Sequence, residues 1–155
     1  MTRWIALVLL LASLAAAQSA LPNPKLTPGV ARPLSKATIC STKWGTDRRF
    51  VTLAMKRQVF AAYGIPWSEH AKYEVDHLVS RELGGADAVA NLWAEPWVLT
   101  VNGKEMGAHQ KDRAENATHR AVCAGQITLA EAQRQIVEDW TKLYVRFVGA
   151  FPSPK

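Results

Sequence analysis

Cysteine is nearly absent: 155 residues hold two, Cys40 and Cys123, and neither stands in a CxxC pair or a Cys/His cluster with zinc spacing. That excludes a disulfide-dense scaffold and a zinc-ribbon fold, so the chain has to bury an ordinary core, and its length suits one domain. Long apolar runs are absent too. The longest, Trp4 to Ala17, has 14 residues, short of the about 20 that cross a bilayer. With Arg3 before it and Ala15 and Ala17 at small-residue positions, it reads as an export leader over residues 1–17, or to 20 with a later cut. The mature chain is then expected to be secreted or periplasmic, without stable membrane insertion. Both cysteines lie beyond the cut in an oxidising compartment, where a Cys40–Cys123 disulfide is expected ahead of two separate buried thiols or a metal role.

Acidic residues are the minority charge, 13 against 19 Lys plus Arg, and losing Arg3 with the leader leaves 18 against 13. A basic exported protein is drawn to polyanions: nucleic acid, anionic lipid or acidic wall polymers. No internal repeat is present. Residues 18–34, with four prolines between 21 and 34, are read as an extended lead-in, 35–149 as the domain, and 150–155 as a frayed tail.

Within the domain, Ser35 is expected to cap a short helix. Thr46 or Asp47 is expected to cap a longer one that Gly64 ends, with Val51, Ala54, Met55, Val59 and Ala62 at core spacing. Arg48, Arg49, Lys56 and Arg57 fall elsewhere on that helix, as a solvated face or as phosphate contacts. "KYEVDH" alternates as a half-buried strand does, with Tyr73 and Val75 on one side and Glu74 and Asp76 on the other. "SRELGGADAVAN" is a loop with room for a helical turn, in which Gly84 and Gly85 permit a tight bend. "LWAEPW" is a second short strand, whose Trp93 and Trp97 are expected in the core rather than stacked on bases. A helix then opens near His109 and ends at Gly125. The last helix carries a Thr128/Glu131 capping box with Leu129, Ala132, Ile136, Trp140, Leu143 and Phe147 on one stripe.

The chemistry concentrates between residues 73 and 119. A hairpin backed by a helix can bring a strand end, a loop and a helix face to one point. His77 at the strand end suits a general base, because imidazole titrates near the working pH. Asp76 offers a hard oxygen for Mg²⁺ or Mn²⁺. His70 is read as an exposed loop residue and His119 as structural.

The segment "DHLVSRELGGADAVANLW" followed by "GAHQKDRAEN" resembles the HNH, or His-Me finger, endonucleases, whose ββα-metal motif runs Asp-His, loop Asn, helix His. From about residue 38 to 147 the chain is also similar to small secreted bacterial proteins related to those nucleases. The resemblance implies an α+β fold, a helix-rich single domain around a hairpin-plus-helix metal motif. It further implies His77 as base, Asn91 as the residue that braces the loop and orients His77, and Asp76 and His109 as ligands of a divalent metal, Mg²⁺ or Mn²⁺ ahead of Zn²⁺. The substrate implied is DNA, with RNA as a second polymer, and Lys111 and Arg113 on the helix are candidate phosphate contacts. Two features depart from the family. Buttressing CxxC pairs are missing, and the residue four beyond His109 is Arg113, which cannot bind a cation; Asp112 or Glu115 would take its place. The alternative expectation is a weakened module of the same fold that binds nucleic acid or an anionic envelope polymer. A third is an envelope protein in which Asp76 and His77 only tie a loop.

Overall fold

The computed structural model describes residues 19–154; the leader expected over 1–17 lies outside them. Ser35 caps α1 (Lys36–Ser41) by accepting from the Thr38 amide at 3.1 Å. α2 (Leu53–Ala62) begins later than the spacing predicts, at a Thr52 cap that accepts from the Met55 amide. Tertiary bonds hold the segment before it out of helical geometry. Asp47 is paired with Arg81, Arg49 donates to the Val75 carbonyl at 2.6 Å, and the Phe50 amide donates to Asp87 at 2.7 Å. Local helix propensity is worth only tenths of a kcal/mol per residue and yields to such contacts.

β1 (Tyr73–His77) and β2 (Leu92–Pro96) form an antiparallel pair in which Asp76 faces Trp93 and His77 faces Leu92. The pleat then sorts their side chains. Val75, Leu92 and Ala94 pack with Val59 and Phe60 of α2, with Tyr73 and Trp67 at the margin. Glu74, Asp76 and Glu95 take the opposite face. The long connection between the strands bends through short 3₁₀ turns at Arg81–Leu83 and Val89–Asn91. Its two glycines have separate tasks. Gly84 adopts φ +88°, and a Cβ on Gly85 would lie 1.7 Å from the Val79 carbonyl oxygen, so neither position accepts a side chain.

A small ribbon of β3 (Thr100–Val101) and β4 (Lys104–Glu105) leads into α3 (Ala108–Cys123), and α4 (Leu129–Phe147) packs along α3. Ala114 and Ala121 of α3 are buried with Ala132, Ile136, Trp140 and Leu143 of α4 in the larger core, and the small alanines allow close approach. Thr128 caps α4 by accepting from the Glu131 amide at 3.1 Å. Asp139 leaves helical geometry within α4, and its carboxylate accepts from the Thr141 amide and hydroxyl as a new cap would.

Both ends of the described chain belong to this domain. The proline-rich stretch, read as extended, turns at residues 24–26, where the Leu26 and Thr27 amides donate to the Asn23 carbonyl, and it is fastened down. Trp140 Nε1 donates to the Ala20 carbonyl at 2.6 Å, buried Thr27 donates to the Leu92 carbonyl, and the Arg32 amide donates to Gly84. Phe151, expected in a frayed tail, is 8 % exposed and stacks on Tyr144 at 4.0 Å between ring centroids. Cys40 and Cys123 are joined, tying α1 to α3 across 83 residues of sequence. The result is a single α+β domain. Among the described residues no helix is long and apolar enough to cross a membrane.

Candidate active site

β1 ends at the wall of a polar cleft of about 220 Å³, lined by Glu74, Asp76, His77, Ser80, Arg81 and Glu82 from the hairpin side. Asp112, Glu115 and Asn116 of α3 line the other side, and Trp44, Asp47 and Arg49 close it. The alternation of β1 points Glu74 and Asp76 to the cleft, and the end of the strand delivers His77 there.

The His77 side chain is nearly enclosed, and its Nε2 lies 2.7 Å from Asp87 Oδ1. Burial would raise the Asp87 pKa, but the Phe50 amide and His77 hold it below its usual value. The carboxylate is thus the acceptor, so Nε2 carries the proton and Nδ1 keeps its lone pair. Burial lowers the His77 pKa against the pull of Asp87 and Asp76, which keeps the ring neutral at neutral pH. An orienting carboxylate behind a neutral imidazole is the arrangement a general base requires. Asp87 was not among the residues singled out from the sequence. Its only signal there is its place between the double glycine and Asn91.

Asn91 is buried and spends all its side-chain capacity on the loop. Its amide donates to the Val79 and Ala86 carbonyls at 3.0 and 3.1 Å, and its oxygen accepts from the Val79 and Val30 amides. It fixes the path of the chain that leaves His77 and returns to β2, and among the described residues its side-chain hydrogen bonds go to backbone groups rather than to the imidazole.

Below the cleft lies a charge cluster. Lys111, 0 % exposed, donates to Asp76 Oδ2 at 2.5 Å, to the His77 carbonyl at 2.8 Å and to Glu115. All three ammonium donors are satisfied. Burial would lower its pKa, but Asp76 and Glu115 raise it, and Lys111 in turn holds Asp76 low against burial. Lys111 is therefore an internal cation rather than the surface phosphate contact expected, because the rotation of α3 turns it to the hairpin. Arg113 is exposed on the α4 side, 5.6 Å over the Tyr144 ring.

The other acids outnumber this one lysine. Burial, then Asp76 and Asp112, push Glu74 up to about 7; burial likewise raises Glu82 and Asp112, and raises Glu95 and Glu115 well above the carboxylate range. Among the described residues no donor reaches either Glu95 oxygen, so a protonated Glu95 is the form that can donate to Asp76. Ser80 Oγ and one Glu82 oxygen are likewise buried without a partner among the described residues.

His109 does not join this cluster. It is exposed at the start of α3 and lies against Trp97, 5.4 Å between ring centroids. Trp93 is buried as expected, whereas Trp97 is half-buried. His70 is exposed and stacks on Trp67. His119 contacts the Ile39 carbonyl beside the disulfide. Cys40, Cys123 and His119 place their ligand atoms within 4.8 Å of one another, and they are the only such trio among the described residues. The two sulfurs are bonded to each other and offer no thiolate to a metal.

The cleft carboxylates line walls and do not converge on one point. A hydrated hard cation, which takes one or two carboxylates and keeps several waters, would need no such convergence. Glu74, Asp76 and Asp112, all oxygen donors beside the unpartnered Ser80 hydroxyl, fit Mg²⁺ or Mn²⁺ better than Zn²⁺. No family model matches the chain, and neither a curated protein nor a solved structure does.

Proposed function

We propose that the protein is an exported metal-dependent phosphodiester hydrolase acting on nucleic acid. The observation that carries this reading is the His77–Asp87 pair set at the wall of a cleft whose acids exceed the protein's own cations. The order of hairpin, braced loop and helix resembles that expected of a ββα-metal finger, which supports the same reading.

Neutral His77 takes a proton from water at Nδ1 while Asp87 holds Nε2–H and steadies the imidazolium that forms. The hydroxide attacks phosphorus, the bond to the leaving oxygen breaks, and that oxygen is protonated by solvent. Lys111 keeps Asp76 ionised and, through the His77 carbonyl, fixes the end of β1. A divalent cation held by Glu74, Asp76 or Asp112 would stabilise negative charge on the phosphoryl and leaving oxygens. The basic balance of the chain favours capture of the polyanion, with affinity that falls as salt rises.

The seating of Lys111 between Asp76 and Glu115 favours a second reading. An ammonium already neutralises part of the site, as in a module that binds nucleic acid without cutting it. A plasmid-nicking assay on the oxidised mature protein with Mg²⁺, Mn²⁺ or chelator separates the two. The hydrolase nicks only with metal, and His77→Ala lowers the rate about a hundredfold or more. DNA retention without nicking in any metal supports the binding module.

A further inference from the structure

We infer that the strap from Lys43 to Arg57 is a platform for single-stranded nucleic acid, and that the unpaired strand is the substrate delivered to His77. The inference rests on the nucleic-acid reading above for its choice of polymer. Between residues 43 and 57 the chain has five basic residues against one acid, and that acid, Asp47, is paired with Arg81. The strap therefore carries a net positive charge, of which Arg49 faces Glu74 in the cleft and the rest is left to solvent.

Its apolar residues are exposed where a folded chain ordinarily hides them. Phe50 is 59 % exposed and Leu53 56 %. The Arg48 guanidinium lies 4.7 Å over the Phe50 ring, and Trp44 reaches the wall of the cleft. Cations flanking one exposed ring, whose other face is left to a base by the Arg48 contact, match a backbone of phosphates with a base free to stack. In a duplex those base faces lie inside the stack, so an exposed phenylalanine gains little from it.

The platform is also bound to the chemistry. Asp87 accepts the Phe50 amide on Oδ2 and faces His77 on Oδ1, at 2.7 Å each. Arg49, which lines the cleft, is fixed to the β1 backbone at Val75. A base stacked on Phe50 would thus lie on a segment that is bonded to the carboxylate behind the imidazole.

The test is fluorescence anisotropy in chelator on His77→Ala protein, titrated into labelled oligothymidine and into its duplex with oligoadenine. The single strand should bind more tightly. Adding Phe50→Ala should weaken single-strand binding about tenfold and leave the duplex little changed, and Phe50→Trp should restore it. Arg48→Ala should make single-strand affinity less sensitive to salt. Equal affinity for both forms, an unaffected Phe50→Ala protein, or no binding to either would overturn the inference. The hydrolase reading stands or falls separately. Metal-dependent cleavage of single strand and duplex alike would sink the platform alone, and strand preference without cleavage of the labelled single strand by the His77 parent in Mg²⁺ or Mn²⁺ would leave a binding surface and remove the enzyme.

Discussion

A single buried ammonium decides how the acids beneath the cleft are balanced. Among the described residues Lys111 is the one cation that Asp76, Glu115 and the His77 carbonyl share, so removing it strands the Asp76 charge in a place water does not reach. Lys111→Met should cost about 3 to 5 kcal/mol in urea unfolding near neutral pH. The sign of its pH dependence follows from Asp76, whose folded pKa lies below its unfolded value. In the parent that group's stabilisation is complete above about pH 4 and is lost as pH falls through the lower folded value. In the variant the stranded carboxyls can take up protons, so the gap between the two proteins should narrow on acidification. A gap that stays constant from neutral to acid pH would show that packing, not charge, is what the lysine supplies. His77 and Asp76 stand out in the sequence as an adjacent titratable pair; the inward direction of Lys111 does not, because a lysine on a helix is usually solvated.

At the level of elements, caps read well and helix starts read less well. Ser35 and Thr128 are legible because a cap is a bond to an amide only a few residues away. The start of α2 is not, since Asp47 to Phe50 are held by Arg81, Val75 and Asp87, partners about 25 to 40 residues distant. The C-terminal end shows the same limit. "AFPSPK" has no periodicity, yet Phe151 is stacked on Tyr144 and the Pro152 carbonyl accepts from the Glu105 amide. Phe151→Ala should destabilise by about 3 kcal/mol, read as a lower midpoint in urea with an unchanged slope. A loss of only a few tenths would mean that the tail is held by its backbone alone.

For the whole molecule, the Cys40–Cys123 bridge closes 83 residues of chain around the hairpin, the cleft and α3. It ties α1 to α3 across that span. The doubly substituted Cys40→Ala/Cys123→Ala protein should be less stable by about 3 to 4 kcal/mol, measured under oxidising conditions against the parent. Reducing the parent should reproduce that loss. Equal stability of the two forms would leave the bridge no role beyond staying closed.

The sequence by itself determined the local features: two short strands, a glycine bend, helix caps, a forward stripe on α4 and, with only two cysteines, a single possible pairing. Each depends on neighbours within a turn or a pleat, or on counting. The tertiary structure alone decided which side chains meet. Helical residues two apart differ in direction by about 200°, so one rotation of α3 sends His109 out to Trp97 and brings Lys111 in to Asp76. Glu115, one turn beyond Lys111, follows it inward. The path of a loop, not its composition, brings Asp87 to His77, and the same loop draws Phe50 beside them.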